Sequence, residues 1–219
     1  MPKSRKRPKA VRRNRARRQQ EEAAKKQSAG VLQEQSNPRL ANAPRFVTDY
    51  NSAATLARLG PLVKASWSVP PALAGHLRAA GRPVPEAIHG FLLVDTGASE
   101  TCMALDVAHD LGLTPVRIMK TYGAGGLHEN QVFEAQLGME NKDSFGNVVQ
   151  IEAIRQVAGI PELGRYLDGF KLTTSDDHPK RVVGLLGREF LQHATLVYRG
   201  NRGIVELILD PDSFRPKTP

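Results

Sequence analysis

The sequence predicts a mainly β domain with short helices, preceded by a disordered basic arm. Three observations carry that expectation. Apolar runs of strand length recur at 62–69, 88–94, 182–186 and 204–209, each closed by Gly, Pro or polar residues. Stretches with helical spacing are short, as at 71–80 and 103–111. Residues 1–30 have no apolar periodicity, but hold twelve Lys and Arg against two Glu. Like charges in so polar a run repel and leave no core to form.

The 219 residues and net charge of +9 need to be located along the chain. The arm accounts for about +10, so the remainder is nearly neutral. We divide the chain into a basic arm and linker over 1–45, a folded domain over 46–210 and a tail over 211–219. The lone cysteine, Cys102, excludes an intrachain disulfide and fits a reducing compartment. No apolar run approaches a membrane span, and the N-terminus has no apolar signal region. The expectation is a cytoplasmic protein with no membrane partner. Scattered carboxylates and six histidines show no metal-ligand spacing, so neither a metal nor a cofactor is expected. The arm has two readings: nonspecific nucleic-acid binding through phosphate contacts, or a solubilising tail. It lacks the aromatic residues that stack on single-stranded bases.

Residues 31–57 read as a polar linker with Pro38 and Pro44 that docks around Phe46 and Tyr50. Leu62 to Val69 alternates as a strand and stops at Pro70 and Pro71. Residues 71–80 form a short helix with Pro in its first turn and Gly81 beyond its end. Ile88 to Val94 is a buried strand, and Asp95, Thr96 and Gly97 break it. That order puts a carboxylate at the tip of a strand on a tight loop, where a lone buried charge is expensive. Met103 to Leu111 has helical spacing and ends at Gly112. A strand from 115 to 120, a glycine-rich tip at Gly123, Ala124, Gly125 and Gly126, and a strand from 132 to 139 make a hairpin. A turn at Phe145 to Asn147 closes onto 148–154, and 159–181 read as an irregular surface loop. Val182 to Leu186 is a strand ended by Gly187, followed by a short helix from Arg188 to His193. Two strands, 195–198 and 204–209, complete the domain around a turn at 200–203.

Asp95, Thr96, Gly97, Ala98 and Ser99, then Leu185, Leu186, Gly187 and Arg188 after the glycine-rich hairpin, resemble the retropepsin family, the retroviral-type aspartic proteases. The resemblance spans roughly residues 58–209. It implies a closed acid-protease barrel with one lobe per chain and Asp95 as the catalytic carboxylate. The 71–80 helix looks like an insertion relative to retroviral members. The family uses two carboxylates sharing one proton, one as general base on water and one as acid to the carbonyl oxygen. With one Asp-Thr-Gly in this chain, the resemblance implies an obligatory homodimer that pairs two Asp95 residues.

It further implies that Thr96 reaches the partner's backbone and that the Gly97 carbonyl accepts from substrate. By the same resemblance Tyr122 with 123–126 would form a mobile flap, and Gly187 and Arg188 would brace the loop and the dimer contact. Members commonly have Asp where this chain has Ser99, which leaves the partner of Arg188 open between Glu189 and Asp106. Ala98 lacks the hydroxyl of acid-adapted members, so the expected optimum is weakly acidic to neutral. His128, beside the flap, and His76 are expected at the surface. Leu93, Ile118, Leu127 and Leu185 are the candidate groove walls, with apolar side chains expected around the scissile bond. The substrate would be a peptide or protein. The alternative is a catalytically inactive dimer that binds nucleic acid or protein through its basic arm.

Overall fold

Alternating burial along short β-rich segments makes the strands, and one glycine marks how tightly they close. A computed structural model describes residues 43–50, 52–123, 126–142, 148–161, 163 and 181–210, with backbone alone at 123, 141–142 and 148–149. The arm, the linker up to 42, Ala124, Gly125, the turn at 145–147, most of the 159–181 loop and the tail from 211 lie outside the described residues. The unit that carries the fold runs from Pro44 to Pro219.

The strands in chain order are β1 (Arg45–Asp49), β2 (Leu62–Ser68), β3 (Ile88–Val94), β4 (Cys102–Ala104) and β5 (Arg117–Gly123). Then come β6 (Gly126–Lys142), β7 (Val148–Ile160), β8 (Val182–Leu186), β9 (Ala194–Arg199) and β10 (Ile204–Leu209). The helices are α1 (Ala53–Leu59), α2 (Pro71–Ala79), α3 (Leu105–Asp110) and α4 (Arg188–Leu191), with a 3-10 turn at Gly200–Arg202.

Hydrogen bonding runs β2-β3-β8-β4-β7-β6, and β6 returns to β2, so six strands close into a barrel. Closure leaves those six strands no free edge. The β3–β8 and β4–β7 pairs are parallel, and the others in the ring are antiparallel. At the closing seam Gly138 faces Ser66, and a Cβ at 138 would lie 2.6 Å from the Ser66 hydroxyl oxygen. β5 hangs outside the ring on β6 as an antiparallel hairpin. A second sheet, β1-β10-β9, is antiparallel throughout.

One core cluster joins both sheets, with Trp67, Leu92, Met103, Phe133 and Phe190 packed beside Phe46 and Leu207. The buried Trp67 indole donates to the Val183 carbonyl at 3.1 Å, so its one polar atom is satisfied. A second cluster gathers Tyr50, Leu56, Leu59, Phe91 and Val205. There the Tyr50 hydroxyl accepts from the Leu62 amide and donates to the Gly60 carbonyl, each at 2.8 Å.

The mainly β expectation holds, down to a closed barrel with short helices. Several local readings change. The end of the expected linker is β1 and α1, with β1 paired along its whole length to β10. Helix α1 starts where the Ser52 side chain accepts from the Thr55 amide at 3.2 Å, and ends at Gly60 with φ 73°. The expected helix from 103 begins only at Leu105, because Cys102–Ala104 fills the gap between β8 and β7 as a strand. β7 extends to Ile160, into the stretch read as irregular. Helix α4 is a single turn that ends at Leu191 rather than His193.

Candidate functional site

β3 is buried to Val94, and its last rung passes through the Asp95 amide to the Leu186 carbonyl at 3.0 Å. The chain then turns sharply. Asp95 Oδ1 accepts from the Gly97 amide at 2.8 Å, and the Asp95 carbonyl accepts from the Ala98 amide at 3.2 Å. This side-chain turn is what Asp supplies at such a position. The carboxylate is half-buried, while Thr96 and Gly97 are exposed.

Helix α4 clamps the loop from the other side. The Arg188 amide donates to the Ala98 carbonyl at 3.0 Å, and the Glu189 amide to the Ser99 carbonyl at 3.2 Å. The Gly187 amide donates to the hydroxyl of Thr101, which is 3% exposed. Arg188 Nη1 bridges the Thr96 and Gly97 carbonyls, each at 3.0 Å. The acceptors of Arg188 are therefore backbone oxygens, and neither Glu189 nor Asp106 is its partner. The Gly97 carbonyl, expected to face substrate, already receives one hydrogen bond and keeps a second lone pair. Gly187 is required by contact: a Cβ there would lie 2.3 Å from the Glu100 carbonyl carbon.

Two further groups lie beside this loop. Glu189 Oε2 is buried and has no hydrogen-bond partner. The Cys102 thiol is pushed up to about 11, chiefly by burial and then by the negative charges of Glu100, Glu189 and Asp95.

The loop forms one wall of an open groove of about 990 Å³. Asp95, Gly97, Ala98, Ser99, Glu100 and Cys102 line that wall, with Leu185 from β8 and Ile160 and Pro161 from the end of β7. The β5–β6 hairpin lines the opposite side through residues 119–122 and 128–130. Gly123 pairs with Gly126 at its tip, and Gly126 has φ 102°, a conformation that favours glycine. Within the hairpin the buried Asn130 amide donates to the Thr121 hydroxyl at 2.5 Å, and Lys120 pairs with Glu129 at 3.6 Å.

The predicted residues Asp95, Gly97, Ala98, Ser99 and Tyr122 thus share one groove, and Thr96, Gly187 and Arg188 adjoin it. Of the expected walls, Leu185 lines the groove. Leu93, Ile118 and Leu127 do not, and Ile118 and Leu127 are 68% and 50% exposed. His76 is exposed and away from the groove; His128 is exposed and lines it. Glu100, Cys102, Glu129 and Asn130 are groove residues that sequence reasoning did not single out. For Glu100 the signal was its place in the Asp95 loop itself.

Among the described residues no cluster of three or more His, Cys, Asp or Glu side chains is arranged to hold a metal ion. No helix among them is long and apolar enough to cross a membrane. The class that fold and site define is a mainly β closed barrel with a carboxylate loop at a strand end, facing a groove. No protein-family model, no curated protein and no solved structure matches the chain.

Proposed function

We propose that this protein is an aspartic endopeptidase that works as a retropepsin-like homodimer, with Asp95 from each subunit at the centre of one groove. The observation that carries the reading is the clamped Asp95 loop. A half-buried carboxylate at a strand end is fixed by its own turn and by Arg188, and faces a groove bordered by a hairpin.

Fixed geometry of this kind suits a carboxylate that must hold a water near an amide carbonyl. One ionised Asp95 takes a proton from water as the water oxygen bonds to the carbonyl carbon. The protonated Asp95 of the partner gives its proton to the carbonyl oxygen. Collapse of the tetrahedral intermediate breaks the C–N bond, and the amine leaves with a proton from the pair. Two carboxylates about 3 Å apart hold one proton between them, so both roles come from one residue type. Among the described residues the groove holds no second loop of this kind, which is why the reading needs two copies. Leu185, Ile160 and Met119 give the groove apolar surface for side chains around the scissile bond.

The test is cleavage of casein between pH 5 and 7 by the full chain and by Asp95→Asn, with sedimentation of both. The expected result is a dimer whose activity falls by about 10²–10⁴-fold in the variant and is blocked by pepstatin-type inhibitors. Absence of cleavage by a folded dimer would favour the binding-module alternative. Cleavage retained in Asp95→Asn would exclude Asp95 chemistry.

A further inference from the structure

The groove's charge is lopsided. Its lining holds three carboxylates, Asp95, Glu100 and Glu129, against one ammonium, Lys120, and the imidazole of His128. Lys120 is committed to Glu129 across the hairpin. Arg188, behind the loop, spends its guanidinium on two carbonyls. Glu100 is exposed on the same loop as Asp95, and no cation among the described residues pairs with it. The same groove is lined by Leu185 and Ile160, apolar surface of the kind that the methylene stem of a long basic side chain covers.

We propose that the groove selects extended peptides carrying Lys or Arg next to the position facing Asp95, and that Glu100 is the residue that selects them. This deepens the protease reading and rests on it for the orientation of the peptide. Glu100 is also the first of the three negative charges that, after burial, push the Cys102 thiol up. A peptide ammonium or guanidinium placed there meets a carboxylate that no cation among the described residues pairs with, whereas an acidic side chain meets like charge.

The test uses fluorescein-labelled decapeptides identical except for Lys, norleucine or Glu at one central position. Their binding to full-length Asp95→Asn, which cannot consume them, is followed by fluorescence anisotropy at low and high salt. The Lys peptide is expected to bind about tenfold tighter than norleucine at low salt, with the gap narrowing at high salt. Adding Glu100→Lys is expected to reverse the order of the Lys and Glu peptides. Equal affinities, or a Lys preference that survives Glu100→Lys, would overturn the inference. Cleavage by the wild type separates the two readings. Lys-selective binding without cleavage sinks the protease reading and leaves this one standing. Cleavage without a Lys preference does the reverse, and a folded protein that binds none of the peptides defeats both.

Discussion

The two walls of the groove are built in opposite ways. The Asp95 loop is held by five backbone amides, two carbonyl contacts from one guanidinium and a buried threonine hydroxyl. The β5–β6 hairpin is a pair of strands outside the closed ring, with β5 bonded to β6 alone and Tyr122 85% exposed at its end. The loop's geometry is set by the barrel and by α4. The hairpin's is set by its own ladder and a glycine at φ 102°. In the proposed protease, chemistry that needs fixed atoms would belong on the first wall, and admission of a chain-like ligand on the second.

Substitutions on the two walls should therefore differ in cost. The largest effect is expected for Gly187→Ala, where the new methyl collides with the backbone at Glu100 and the Asp95 loop and the start of α4 must part. We expect a loss of about 3 kcal/mol, read from urea midpoints. Arg188→Ala comes next. It removes two charge-assisted hydrogen bonds from an exposed side chain, so about 1 kcal/mol of stability is expected to go. Activity should fall further than stability, because the loop that orients Asp95 loosens; an equal fall in both would count against the clamp.

A third effect is set by pH. The Cys102 thiol is raised from 9.0 to about 11, so the fold favours its protonated form. Its contribution is complete below pH 9 and is lost as pH rises through about 11. Cys102→Ala should flatten the alkaline loss of stability across that window, and wild-type Cys102 should react slowly with iodoacetamide at pH 8. Tyr50, also raised by burial, acts in the same direction and is common to both proteins. The smallest effect belongs to the hairpin. Ile118→Ser and Leu127→Ser remove exposed side chains that do not line the groove, and each should shift stability by no more than about 0.5 kcal/mol.

The same contrast explains what could be read from the sequence. The Asp95 turn was legible because an apolar run breaks at an Asp followed two residues later by Gly. Gly187 and Arg188 stood out because they end an apolar strand. The acceptors of Arg188 were not legible, since they are carbonyls, which every residue carries. β4 was misread because Met103, Val107 and Leu111 keep helical spacing, and periodicity does not show that three residues are needed to bridge β8 and β7. β1 is hidden because its five residues, preceded by Pro44 and themselves partly polar, give too short an alternation to stand out. In the hairpin, register puts Ile118 opposite Gln131 and Tyr122 opposite Leu127. Alternation puts Ile118 and Leu127 on the face that Lys120 and Tyr122 share, yet only the latter two line the groove, so the period of a strand does not tell which of its residues reach it.

The pairing of β1 with β10 has a mechanical consequence. Arg45 sits opposite Ile208, and the Leu209 amide donates to the Pro44 carbonyl at 2.9 Å, so the chain enters and leaves the domain at one seam. Tension applied to the two ends does not shear this ladder along its length. It peels the rungs apart one at a time, beginning at Pro44 and reaching the link from Arg45 to the buried Glu206 almost at once. A domain pulled from both ends would open like a zip at low force, starting from the β1-β10-β9 sheet and not from the barrel that carries Asp95.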